Sequence, residues 1–364
     1  MSNTDIRVVP GPANYYSHPG ALARLNDLYS DETLSRAVWV YGERAIAAAT
    51  PFLPAAFNAP GAKHLLFKGH CSEGDVAQLA ADAGADRSVV IGVGGGALLD
   101  SAKALARKLG LPVVAIPTIA ATCAAWTPLS VWYNDAGQAL GYEIFNDANH
   151  LVLVEPQILL EAPAVYLLAG IGDTLAKWYE AVVLAPEPQA LPLTVRLGLD
   201  AALTIRDVLL EHSEAALADQ QRGVLSQAFR DVVDAIIAGG GMVGGLGERF
   251  TRIAAAHAVH NGLTVLPQTD KFLHGTKVAY GILVQSALLG QDEVLAQLIA
   301  AYQRFHLPTS LAQLEVDIND REALDRVIAH TLRPAESIHY LPVTLTADTL
   351  RAAFAKVEAA GRQV

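Results

Sequence analysis

Three short segments hold residues of the types that ligate metals. GIGDTLAKWYEA carries Asp173, AAAHAVHNGLT carries His257 and His260, and KFLHGTKVAYG carries His274. Carboxylates and imidazoles are the usual donors to divalent zinc or iron. His257 and His260 are three positions apart and share one face of a helix. Plainer readings stay open on spacing alone. Neither HExxH nor CxxC is present. Asp173 also reads as the N-cap of a helix that begins there, and a lone histidine is more often packed or solvated than bound to metal.

A second chemistry is written in VVIGVGGGALLDSAK, residues 89–103. A β-branched run, Val89 to Val93, reads as a strand. Gly94, Gly95 and Gly96 follow, and then an amphipathic helix. Leu98, Leu99, Ala102, Leu105, Ala106 and Leu109 form its apolar stripe, with Asp100, Ser101, Lys103, Arg107 and Lys108 on the other side. Gly110 and Pro112 end it. Glycines let backbone approach a ligand closely, and the open first turn of a helix attracts anions, usually phosphate. GVGGGA fits GxGxx[GA], but Pro117 and Thr118 stand where an acidic ribose partner is expected. A tight strand-to-helix connection with nothing bound is the alternative.

The elements that must carry these residues change character along the chain. A strand is expected at Ile6 to Val9, then a turn at Pro10, Gly11 and Pro12 and a helix at Ala21 to Tyr29. Further strands are expected at Ala37 to Tyr41, His64 to Phe67, Val113 to Ile116 and in LVLVEP from 151, with a helix from Ser72 to Ala83. Strands alternating with helices predict a parallel sheet, with ligands at the carboxyl ends of the strands. Gly94 to Gly96 and Thr118 fall at such ends. So does YGERA, where Glu43 could accept from ribose hydroxyls and disfavour a 2′-phosphate, while Arg44 would permit one. Helical periodicity then covers 173–184, 193–211, 222–238, 249–261, 276–288, 292–304 and 348–359. The expected division is an α/β domain, 1–162, and an all-α domain, 163–364. Gly239 to Gly241, Gly244, Gly245 and Gly247 have no strand before them and read as close helix packing or a broken helix.

The 364 residues, 52% hydrophobic, can build two cores, and the net charge of −11 argues against nucleic acid and anionic membranes. Two cysteines, Cys71 and Cys123, rule out a disulfide framework. MSNTDIRVVPGP lacks the pattern of a signal peptide, and no apolar run has the length of a membrane span. A cytoplasmic protein is expected.

Gly94, Gly95, Gly96 and Asp100 form a GGGxxxD motif that resembles the iron-containing alcohol dehydrogenase superfamily. PTIA, GIGD, HAVHNG and the HG-K-VA-G segment follow in order, similar to the glycerol dehydrogenase-like branch. The resemblance implies a Rossmann-like parallel-sheet domain and an all-α domain, the dehydroquinate synthase-like arrangement. It implies NAD or NADP as cofactor, contacted by Glu43, Gly94, Gly95, Gly96, Asp100, Thr118, Thr127, Leu129 and Tyr133. It makes Asp173, His257 and His274 the catalytic metal ligands, leaving one position open. Zinc is expected, with iron as the alternative. His260 becomes an outer residue or a substrate contact, and a homo-oligomer acting on a small molecule is expected.

The pattern breaks at one place. Glycerol dehydrogenases carry an Asp after the PTIA strand that contacts the polyol, and here Cys123 stands there. A neutral thiol loses hydrogen-bond acceptors for vicinal hydroxyls but tolerates a carboxylate. Similarity to branch members acting on hydroxycarboxylates implies interconversion of small 2-oxo acids and 2-hydroxy acids, with glycerol or vicinal-diol oxidation as the alternative. Lys271 and Lys277 are the cations nearest the metal segment in sequence. Dehydroquinate synthase chemistry would need Glu as second ligand and a more basic lining. A regulator that merely binds metal and nucleotide has no DNA-binding charge pattern behind it.

Overall fold

A computed structural model describes residues 5–67, 69–134 and 137–362. Its strands are β1 (Asn14–Ser17), β2 (Val38–Tyr41), β3 (Lys63–Leu66), β4 (Val90–Gly94), β5 (Val113–Pro117), β6 (Leu129–Tyr133), β7 (Ala139–Ile144) and β8 (Leu151–Val154). Six of them form one parallel sheet in the order β1-β8-β5-β4-β2-β3, while β6 and β7 make an antiparallel hairpin. Central strands of a covered parallel sheet are apolar on both faces. Accordingly β4, β5 and β8 are buried throughout. Val38, Val40, Val90 and Val113 pack with Leu79 of helix Glu73–Ala83 and with Ala102, Leu105 and Ala106 of helix Gly96–Leu109. Gly110, at φ 67°, ends the latter in the left-handed region, as its position predicts.

Two compact units result, and neither is continuous in sequence. One takes Val9–Pro163 together with Asp219–Met242; the other takes the residues before Val9, Ala164–Ala218 and the chain from Val243 onward. Segment 219–242 is tied to the sheet unit by specific bonds. Tyr15 Oη donates to Asp234 at 2.6 Å, and Gln220 Nε2 donates to the carbonyls of Leu159 and Ala162. The second glycine cluster is packed as expected: a π-helical turn, Ala235–Gly239, leads into helix Gly240–Gly247. A Cβ at Gly241 would lie 2.3 Å from Trp126 Cδ1.

The helical unit is built around the buried helix His274–Leu288. Its glycines are the points of closest approach. A Cβ on Gly275 would stand 1.8 Å from the Ala169 carbonyl oxygen, and one on Gly281 would stand 2.3 Å from that of Ala256. Those contacts draw helix Ala164–Leu184 and helix Ala255–Leu263 onto it, one carrying Asp173 and the other His257.

Three expectations change. Residues 6–9 are not a strand; the first strand lies beyond Pro12, and Ile6 packs on Ala181, Ala185, Val195 and Leu199. Helix Ala164–Leu184 starts well before Asp173, so the N-cap reading of that residue is wrong. Helix Arg321–Thr331, capped by Asp320, was not expected, because its sequence is mostly polar outside Leu324, Val327 and Ile328. The first four residues of the segment read for leader character lie outside the described residues. Among the described residues no helix is long and apolar enough to cross a membrane.

Candidate active site

In the helical unit three side chains from three helices converge. Asp173 Oδ1 is 3.2 Å from His274 Nε2 and 3.5 Å from His257 Nε2, and one ligand atom from each residue lies within 4.8 Å of the others. Neither ring nitrogen is aligned as a donor, so the buried Oδ1 of Asp173 has no hydrogen-bond partner. Burial alone would raise this carboxyl, but the two imidazoles and Lys177 hold it well below the usual range.

The second carboxylate of this helix explains the geometry of His257. Glu180 is fully buried, and its Oε2 is 2.7 Å from His257 Nδ1, while its Oε1 accepts from the backbone N–H of Ala254 and of His257. An ionised carboxylate only accepts, so His257 Nδ1 carries a proton, and Nε2, which faces Asp173, is the nitrogen available to a cation. Burial lowers the basicity of His257, but the Glu180 and Asp173 carboxylates outweigh it and raise its pKa to about 9. The pocket thus favours a positive charge among its acceptors. A carboxylate oxygen and two imidazole nitrogens, with Asp173 and His257 buried and His274 exposed, fit a divalent cation. Glu180 was missed in the sequence; its signal is a spacing of seven from Asp173, which returns it to the same helix face.

His260 lies beside this set, its Nε2 3.0 Å from His274 Nδ1. The two lysines noted above are already occupied. Lys271 is paired with Glu315 at the surface, and the buried Lys277 donates to the Thr269 carbonyl.

In the sheet unit the glycine turn lies at the carboxyl end of β4. Between β2 and β4 the direction of strand addition reverses, the crevice where open α/β sheets bind ligands. Tyr41 pairs with Val93, so Gly42 and Glu43 emerge beside Gly94. Glu43 is exposed and opens helix Glu43–Ala49. Gly95 is the N-cap of helix Gly96–Leu109, with no side chain bonded to its first turn. Gly94 to Gly96 do not use positive φ. They provide space: a Cβ at Gly95 would meet Ile119 Cδ1 at 2.8 Å. Thr118, buried at the end of β5, donates its N–H to the Gly94 carbonyl.

Asp100, Ser101 and Lys103 depart from the amphipathic reading, because all three are buried. The segment leading into β6 covers their face. Asp100 pairs with Lys103 at 2.9 Å and accepts from Val131 N at 3.1 Å. Lys103 Nζ also donates to the carbonyls of Ala124, Thr127 and Leu129. The pair therefore fixes Thr127 and Leu129. Tyr133 donates its N–H to the Cys71 carbonyl, and the half-buried Cys123, in no disulfide, supplies the carbonyl of the turn to Trp126 and Thr127.

A parallel sheet with a glycine turn at its switch point, and helices that assemble one carboxylate with two imidazoles, define a nucleotide- and metal-dependent class of dehydrogenase fold. The chain belongs to the iron-containing alcohol dehydrogenase family, whose model matches residues 12–156, and it is an oxidoreductase of that family. It is 78% identical to hydroxycarboxylate dehydrogenase A of Escherichia coli, over 98% of this chain and 99% of that protein. It is 33% identical to glycerol dehydrogenase of Thermotoga maritima over 96% of each. Among solved structures, a probable glycerol dehydrogenase from Sinorhizobium meliloti superposes with a TM-score of 0.86 at 28% identity, covering 99% of this chain and 100% of that one.

Proposed function

We propose that this protein is a metal-dependent, NAD(P)-linked dehydrogenase that interconverts small 2-oxo acids and 2-hydroxy acids. The observation that carries the reading is the full-length similarity to a hydroxycarboxylate dehydrogenase, joined to Cys123 at the place where the branch carries a polyol-binding Asp. When bound, a divalent cation, zinc before iron, supplies Lewis acidity at the substrate oxygen, and the nicotinamide exchanges hydride with the carbinol carbon.

The chain's own residues prepare that chemistry. Asp173 contributes charge, and His257 and His274 contribute Nε2. Glu180 holds the Nδ1 proton of His257, which keeps that ring oriented. Gly94, Gly95 and Gly96 leave room for a pyrophosphate at an open helix N-terminus. Glu43 would accept from the adenosine ribose and favour NAD, with Arg44 leaving NADP open. Thr118, Thr127, Leu129 and Tyr133 line the dinucleotide site, and Asp100 acts on it by holding segment 124–131. Cys123 and His260 are each assigned to substrate by the family resemblance. Residues 1–162 would serve the nucleotide and 163–364 the metal and substrate, save that 5–8 belong to the helical unit and 219–242 to the sheet unit, within a cytoplasmic homo-oligomer.

The alternative, a glycerol dehydrogenase, is favoured by the lower-identity relatives and solved structures. The test is the metal-loaded protein assayed with NADH and NADPH against a panel of 2-oxo acids, and with NAD against glycerol and vicinal diols. Oxo acids should be turned over best with NADH, and Cys123→Asp should shift preference toward diols. Glycerol turned over far better than any 2-hydroxy acid would overturn the reading.

A further inference from the structure

The two imidazoles of the cluster are held differently. His257 has a carboxylate directly on Nδ1, from Glu180. His274, whose side chain is 43% exposed, has instead a chain of hydrogen bonds. Its Nδ1 is 3.0 Å from His260 Nε2; His260 Nδ1 is 3.0 Å from Asn261 Oδ1; Asn261 Nδ2 donates to Glu336 Oε2 at 2.8 Å. The other oxygen of the buried Glu336 accepts from Arg333 at 2.5 Å.

Proton positions along this chain can be read from either end. From the outer end, the Glu336 carboxylate only accepts, so the Asn261 amide must turn its NH2 toward it and its oxygen toward His260. His260 Nδ1 then donates, which leaves Nε2 as the acceptor for His274 Nδ1–H. From the inner end, a neutral His274 that presents Nε2 to a cation must carry its proton on Nδ1, and the same sequence follows outward. The two readings agree at all three links.

We propose that Glu336 and Asn261 are positioning residues for His274: acting through His260, they fix the tautomer that points the His274 Nε2 lone pair at the metal. The inference rests on the reading of Asp173, His257 and His274 as metal ligands. It gives each imidazole an outer carboxylate, one in direct contact and one relayed.

The discriminating variant is Glu336→Gln. A glutamine can donate, so the Asn261 amide is free to turn over, and each proton along the chain then reverses until His274 Nε2 carries one. Zinc affinity, measured by competition with a chromogenic chelator, should fall about tenfold, and the visible spectrum of the cobalt-substituted protein should change. Glu336→Asp should retain both properties. Arg333→Met removes the ion pair but leaves the chain, so it should retain them too; this separates positioning from general stability. If Glu336→Gln fails to fold, Asn261→Ala removes the acceptor of His260 at a half-buried position and should weaken zinc in the same way. Wild-type affinity and cobalt spectrum in Glu336→Gln or Asn261→Ala would overturn the proposal. A wild-type protein without tight metal would overturn the ligand reading as well, which separates the two failures.

Discussion

Asp100 and Asp173 are both buried aspartates inside helices, and both come from the motifs most visible in the chain. Their surroundings differ in one respect. Asp100 is answered from within the protein, by the Lys103 ammonium and the Val131 N–H. Asp173 faces two imidazole nitrogens instead, His274 Nε2 at 3.2 Å and His257 Nε2 at 3.5 Å. A buried charge matched by its own chain is architecture, whereas one left facing other acceptors is prepared for something from outside. The acid of the glycine-turn motif thus holds a loop, and the acid of the GIGD motif is the one we propose for chemistry.

Substituting Asp173→Asn should break that contrast most severely. The cation would lose its only carboxylate, and activity should fall by about three orders of magnitude or more, with bound metal lost from the purified protein as measured by elemental analysis. The metal-free form should also melt below wild type near neutral pH, because the carboxylate that the imidazoles and Lys177 hold ionised is lost. Full metal occupancy in this variant would show that Asp173 is not a ligand.

The matching change in the sheet unit is Lys103→Met. It leaves Asp100 buried beside an apolar chain and frees three carbonyls, so chemical denaturation should show a loss of about 3–5 kcal/mol. Adding Asp100→Asn should recover part of it. Metal content per folded molecule should stay at the wild-type level, since the Lys103 bonds all lie within the sheet unit. A Lys103→Met protein as stable as wild type would mean that the pair is not what holds segment 124–131.

What could be read from the sequence follows the same divide. The strand, Gly94 to Gly96 and the helix after them are contiguous, so local pattern places them within a residue or so. The burial of Asp100 and Lys103 could not be read, because their partners lie at 124–131 and periodicity carries no information about a covering loop. Asp173, His257 and His274 are scattered over three helices, and resemblance rather than spacing singled them out. The start of the Asp173 helix was hidden by Gly170 and Gly172, which lower helix propensity. The structure uses Gly172 for the close crossing with Gly275. The Ile6 to Val9 run had β-branched character, but Pro10 and Pro12 move pairing to Tyr15 and its neighbours, whose partners are in β8. Glu180 lies in the same motif as Asp173, but its partner, His257, is distant in sequence, so local pattern carries no sign of its role.

The mildest test of the contrast uses pH. In the metal-free protein His257 is more basic when folded, near 9, than an unfolded histidine at about 6.5. Its protonated form, held between Glu180 and Asp173, therefore stabilises the fold. That contribution is complete below about pH 6.5 and is lost as the pH rises through about 9, a change of about 3 kcal/mol. Melting curves of the chelator-treated protein should fall across this interval. The metal-loaded protein should not show that fall, because a ring nitrogen used as a ligand cannot take the proton. Nothing comparable is expected from the Asp100–Lys103 pair, which contains no histidine. A flat profile in the metal-free protein would mean that the positive charge the cluster calls for is already supplied by the chain, and the contrast between the two aspartates would close.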